Sequence, residues 1–471
     1  MDLRRLAAAL REPVDAASLG IFRIVFGVIM LVEVGRFFVH GWIRDHYLGP
    51  RLLFKYYGFD WVSPWPHDGL YLHFAGMGLL AAMVAVGLRY RLAIVGLFLT
   101  FSYVFLLDQA SYLNQYYLAL CIALILCFLP AERAFSLDAR LAPASISPVV
   151  PRWSVLALRL QFEVMLLHAG LVKLNDDWLR GEPLGLWLSE HADRAIVGPW
   201  LALPVVSLVA AYGVILLHLL GAPLLLFRRT RFAVFVLYLG FHLASSILFR
   251  IGMFSWLMLA GTLIFFDPDW PRAIWRRLNG GADQGRPLNE LSGPARPLPA
   301  ATLVLLTAFF ILQFLFPLRS LLYPGNVAWT REGEMFSWRM KLNDSRGSAR
   351  FIVTDPRSGT RWDVDPSDHL RPRSMALMAT SPDMILQFAH YLERVWAERE
   401  RIPGVQVRAV VMCSLNGRPP ALLIDPERDL ARITRTWKHQ DWILPLPVRL
   451  ETSSSSKAPT RWTRERAPGR D

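Results

Sequence analysis

The run Trp153-Ser-Val-Leu-Ala-Leu-Arg159-Leu-Gln161-Phe-Glu163-Val-Met-Leu-Leu-His168-Ala-Gly-Leu-Val-Lys173 decides the fold. About 20 apolar residues of helix cross the roughly 30 Å core of a bilayer. The run has that length and is apolar on all sides. It still carries Arg159, Glu163 and His168, and it ends on a lysine. Ionisable groups at membrane depth are costly, so they face a bundle interior or a cavity.

Working outward, comparable runs cover 18–40, 69–88, 91–108, 112–131, 203–227, 231–249, 251–267 and 300–318. Their length and continuous apolar character predict a polytopic α-helical membrane protein of about nine transmembrane helices. The stretch 42–66 holds Trp42, Tyr47, Phe54, Tyr56, Tyr57, Trp61 and Trp65, an aromatic density expected at the membrane interface. After Leu318 the pattern changes. Residues 349–365 and 405–424 read as two hairpins, the second turning at Asn416-Gly417, and 382–399 reads as an amphipathic helix. The expected organisation is an N-terminal cytoplasmic segment 1–17, a transmembrane domain 18–318 and an extramembrane α+β domain 319–451. A disordered polar tail 452–471 follows.

Composition agrees. Of 471 residues, 54% are hydrophobic and the formal net charge is +13. In a soluble chain that charge would point to nucleic acid. Here it sits in short segments between apolar runs, where membrane orientation explains it. Alternate connections starting at the N-terminus hold sixteen Arg and Lys, against seven in the others. The positive-inside rule then puts the N-terminus in the cytoplasm and, with nine helices, the C-terminal domain outside. The N-terminus lacks a signal-peptide pattern, so the first run is read as a retained helix. The three cysteines have neither zinc-site nor disulfide-framework spacing, and no His/Asp/Glu cluster has metal-ligand spacing.

Lys173 is the most informative residue. The chain has only five lysines, and Lys173 is the only one between 55 and 341. An arginine stays protonated, whereas a desolvated lysine can lose its proton and act as a general base. The competing reading is a lysine snorkelling to the interface and pairing with Asp176 or Asp177. Arg159 and Glu163 are spaced to pair on one helix face. His168, His218 and His242 lie in apolar runs, where a histidine is more often packed than ligating. The turn Asp108 to Asn114 is polar. Ser245, Ser246 and Ser255 with Met253, Phe254 and Trp256 form a mixed patch suited either to core packing or to a lipid-soluble quinone.

These residues resemble those of the vitamin K-dependent γ-glutamyl carboxylases, and more broadly of the HTTM membrane proteins. The matching pieces occur in the family's order: Leu19-Gly20-Ile-Phe22-Arg23, Tyr103-Val-Phe-Leu-Leu-Asp108 with Asn114, Ser136-Leu-Asp138, and Ala169-Gly170-Leu-Val-Lys173-Leu174. They continue with Phe241-His242, Ile251-Gly252-Met253-Phe254-Ser255 and, past the membrane part, Phe336-Ser337-Trp338. The resemblance implies reduced vitamin K (phylloquinol or menaquinol), O2 and CO2 as co-reactants, with no metal. It implies a glutamate-containing protein or peptide substrate and a lipid bilayer, with no nucleic acid. Lys173 matches the family's catalytic base. Quinol- or substrate-binding candidates are Arg159, Glu163, His168, Asp108, Asn114, His242, Met253 and Phe254. One departure stands out. The vertebrate enzymes have an Asn-His pair where this chain has Glu132 and Arg133, which puts that histidine's role in question here. A histidine of the vertebrate soluble domain falls near Asn343. The preference for Arg and the lack of a disulfide suggest a bacterial inner-membrane protein. The rival reading is a non-enzymatic HTTM scaffold or maturation protein, with no enclosed cavity at Lys173 and tolerance of Lys173→Arg. A transporter ranks last, because no pair of broken helices occupies matching halves.

Overall fold

The computed structural model describes residues 3–143, 147–249, 251–279 and 300–447. The tail expected to be disordered lies outside the described residues. Among the described residues, seven helices are long and apolar enough to cross a membrane. They are α1 (Ala17–Val39), α2 (Gly69–Val86), α3 (Tyr90–Leu107), α5 (Arg152–Leu171), α6 (Pro204–Leu225), α7 (Arg231–Phe249) and α9 (Ala300–Leu322). Two shorter apolar helices, α4 (Asn114–Phe128) and α8 (Phe254–Leu263), complete the bundle. Each of the nine apolar runs therefore carries a helix. The chain is an integral membrane protein, a helical bundle followed by a β-containing domain.

The centre of the bundle is packed by α1. A Cβ at Gly27 would stand 2.5 Å from the backbone nitrogen of Ala85, so glycine lets α1 and α2 touch backbone to backbone. One turn earlier, Arg23 is fully buried. Its guanidinium donates to the carbonyls of Val84 (2.8 Å), Ala85 (3.0 Å) and Phe135 (2.7 Å). These carbonyls end α2 and line the turn after α4. Arg23→Met should cost about 3 kcal/mol by leaving several buried acceptors unpaired, read as a lower thermal unfolding midpoint in detergent. On the same face, Pro13–Asp15 pairs antiparallel with Val149–Pro151.

The C-terminal domain is a four-stranded antiparallel sheet. Its long strands are β1 (Ser345–Thr354) and β3 (Gln406–Leu415), with β2 (Arg361–Val364) outside β1 and β4 (Ala421–Leu422) outside β3. Phe351 opposes Ala409 on one side and Val364 on the other. Helix α10 (Pro382–Glu398) lays Ile385, Phe388, Ala389 and Leu392 on that face. The Phe388 ring meets Phe351 edge-on at 4.7 Å. Both expected hairpins and the amphipathic helix form. Asn416 (φ 50°) and Gly417 (φ 77°) take left-handed conformations that a tight hairpin turn needs.

The aromatic stretch 42–66, expected at the membrane interface, divides. Trp61 and Trp65 remain 77% and 50% exposed. Phe54 is fully buried in the core of the C-terminal domain. The Lys55 amide donates to Gln387 of α10 at 2.7 Å. Part of this membrane-side loop is thus a foundation for the domain above it.

Candidate functional site

Between the bundle and the C-terminal domain lies a mainly apolar chamber of about 860 Å³. Helix α5 delivers Lys173 into it. The helix ends at Leu171, and the chain reverses over Asn175, whose side chain accepts from the amides of Asp177 and Trp178 (both 3.2 Å). Asp177 is then captured by the β3–β4 hairpin. Arg418 holds its two carboxylate oxygens at 2.7 and 2.8 Å, and Asn416 donates to it at 2.6 Å. The Trp178 indole donates to the Leu342 carbonyl at 2.8 Å. This clasp folds the segment back over the lysine.

Lys173 is consequently 4% exposed. Its Nζ donates to the Ala169 carbonyl at 2.9 Å and lies 5.1 Å from the centre of the Trp178 ring. No Asp176 or Asp177 contact holds the amine, and the snorkelling alternative is overturned, because Asp177 is committed to Arg418 and Asn416. Lys173 stands beyond the last residue of the α5 span. Burial, helped by the like charge of the nearby Arg339 guanidinium, pushes its pKa down to about 7. A substantial fraction of the amine is then unprotonated near neutral pH.

The structure sorts the other candidates. Asn114, Met253 and Phe254 line the chamber with Lys173. Asp108 does not line it. Its carboxylate caps the turn after α3, accepting from Phe54 N (3.0 Å), Ala110 N (3.1 Å) and Ser111 Oγ (3.3 Å). Arg159 does not pair with Glu163. It donates to Ile264 and Phe266 carbonyls (both 2.9 Å), capping the end of α8. Glu163 is left with a buried Oε1 that has no hydrogen-bond partner among the described residues. His168 bridges the Val164 carbonyl (2.8 Å) and the Phe314 carbonyl (3.1 Å), tying α5 to α9. His242 is 1% exposed between Tyr238 and Phe254, with neither ring nitrogen partnered among the described residues, and it lies outside the chamber lining.

Glu132 and Arg133 follow the far end of α4, whose first residue lines the chamber. Fifteen residues of helix separate these ends, about 20 Å. Glu132 pairs with Arg91 at 3.3 Å and Arg133 donates to the Val149 carbonyl at 2.6 Å. Both work at the opposite end of the helix. Asn343 donates to the Ala328 carbonyl at 3.3 Å and is absent from the chamber lining.

Several chamber residues escaped the sequence reading. Glu33 of α1 is 4% exposed, accepts from the Tyr116 hydroxyl at 2.7 Å and pairs with Arg36 at 2.7 Å. Glu33 is the only acid within α1, set three residues before Arg36, and that was the available signal. Lys341 and Arg373 bring positive charge from the C-terminal side. The Lys341 amine lies 5.1 Å from the Trp187 ring centre.

Fold and site together define a class: a polytopic membrane protein whose extramembrane domain contributes one side of a mainly apolar, aromatic-walled chamber holding one buried amine. The chain matches the HTTM domain over residues 11–270 and the lumenal domain of vitamin K-dependent gamma-carboxylase over residues 299–449. It belongs to the HTTM membrane proteins of the vitamin K-dependent gamma-carboxylase family. No solved structure matches it.

Proposed function

We propose that this chain is a vitamin K-dependent γ-glutamyl carboxylase and that Lys173 is its base. The observation that carries the reading is the Lys173 amine, buried in a mainly apolar chamber. The chamber's residues suit a lipid-soluble quinol. Trp178, Trp187, Phe249 and Phe254 offer aromatic walls, and its volume of about 860 Å³ falls in the range that encloses organic ligands. When bound, reduced vitamin K supplies with O2 the strong base that removes a glutamate γ-proton before CO2 is added. Lys173 accepts the quinol hydroxyl proton at Nζ. The clasp of Asp177 and Arg418 keeps bulk water from that nitrogen, which preserves the neutral amine. Arg36, Lys341 and Arg373 give the chamber a positive side that suits the carboxylate of a peptide glutamate arriving from the extracytoplasmic side. The N-terminus then lies in the cytoplasm. A scaffold would need no such chamber at Lys173.

The test is carboxylation in membranes supplied with reduced vitamin K, labelled bicarbonate and a glutamate-rich peptide. Label is expected in the peptide together with vitamin K epoxide. Epoxide without label would mean the peptide is wrong, and the absence of both in folded protein would overturn the enzymatic reading. Lys341→Gln is expected to raise the peptide KM several-fold with little change in kcat, as loss of a charge-assisted contact should.

A further inference from the structure

His218 lines the chamber beside Lys173, and the local fold delivers it there. Helix α6 loosens into a π-helical turn at Leu217–Gly221, a feature found often at functional sites. This turn seats against Gly170, one turn before Lys173. A Cβ at Gly170 would meet Leu219 Cδ2 at 2.7 Å and His218 Cβ at 3.1 Å, so glycine permits the approach. His218 lines the chamber with Lys173 and is otherwise buried, 5% exposed. Its Nδ1 lies 2.7 Å from the Val214 carbonyl oxygen. A carbonyl only accepts, so Nδ1 carries the hydrogen and Nε2 keeps a lone pair. The ring is held on edge by Phe241 at 5.6 Å and Tyr238 at 6.5 Å. Among the described residues Nε2 has no protein partner, which leaves it to the chamber. His242 offers no alternative, since it does not line that space.

We propose that His218 sets the chamber's specificity for the reduced ligand: Nε2 accepts a hydrogen bond from a hydroxyl of an aromatic diol, and the chamber rejects the corresponding dione. This rests on the quinol reading above. A diol brings O–H donors. A dione brings only carbonyl lone pairs and would bury Nε2 without a partner. The Lys173 amine does not discriminate in this way, because a neutral amine can donate to a carbonyl or accept from a hydroxyl. The two nitrogens therefore divide the work. Lys173 takes the proton, and His218 reads the oxidation state.

The experiment is anaerobic equilibrium binding of menadiol and menadione to the purified full chain in detergent, which requires no turnover. The natural protein is expected to favour the diol about tenfold, the usual scale for one buried acceptor left unpaired. His218→Phe keeps the ring shape and removes both nitrogens. It should bind the two forms about equally, with menadione affinity within about twofold of the natural protein. His218→Gln offers an amide N–H donor beside its acceptor, so it should bind both forms and lose most of the preference, and His218→Met serves if the Phe variant does not fold. A diol preference that survives His218→Phe or His218→Met overturns the proposal, as does a natural protein with no preference. The two readings fail separately. Carboxylation with an unchanged preference in His218→Phe removes the role of His218 alone. A lost preference in a chain that never carboxylates leaves His218 in place and removes the carboxylase.

Discussion

Lys173→Ala is expected to lower epoxide formation and carboxylation together by about a thousandfold, within the usual range for a general base. Lys173→Arg should do the same, because a guanidinium keeps the charge and not the basicity. The two products must fall in step, since the base acts before either forms. The pH dependence follows from the lowered pKa. The amine is the active form, so the rate should rise as pH passes about 7 and level off above it. An Ala variant that keeps a tenth of the rate with an unchanged pH profile would remove Lys173 from the role. A stability measurement separates function from folding here. A buried amine is costly to an apolar interior, so Lys173→Met should unfold at a higher temperature than the natural protein while remaining inactive.

The second large effect is expected at the clasp. The side chains of Asp177 and Arg418 are 8% and 7% exposed, and the carboxylate accepts two guanidinium bonds. Removing one partner of such a pair typically costs 3–5 kcal/mol, because the other charge is left buried without compensation. Asp177→Ala should therefore lower the thermal unfolding midpoint and admit water to Lys173, with loss of carboxylation. The Asp177→Ala, Arg418→Met double variant should recover much of the lost stability, because no isolated charge remains. It should not recover activity, because the cover over the amine is still unpinned. Thermal unfolding of the double variant no better than that of the single would show that the loss comes from the broken pair itself and not from an isolated Arg418 charge.

The membrane architecture was legible because bilayer thickness dictates run length, and the nine apolar runs each carry a helix. The Asn416-Gly417 hairpin and the helix at 382–399 were legible because turn chemistry and helical spacing are local. Lys173 stood out through the chain's sparing use of lysine. The pairing of Arg159 with Glu163 was a local inference that failed. Four-residue spacing puts the two on one face, but unpaired carbonyls at the end of α8, more than a hundred residues later, take the guanidinium instead. The packing of Phe54 into the C-terminal domain was hidden for a similar reason. An aromatic stretch reports that it needs an apolar partner, not whether lipid or a protein domain provides it.

The sequence by itself determined the membrane-length apolar helices, the hairpins and a short list of ionisable residues within or beside those helices, since each depends on neighbours within a helix or a turn. Only the tertiary structure decided which of those residues share a space. Lys173 could have reached the membrane surface. It is buried because a hairpin 241 residues further on takes Asp177 away from it. Glu33, His218 and Lys341 join the same chamber from three separate parts of the chain. That convergence is a property of packing between distant segments, which no local pattern encodes.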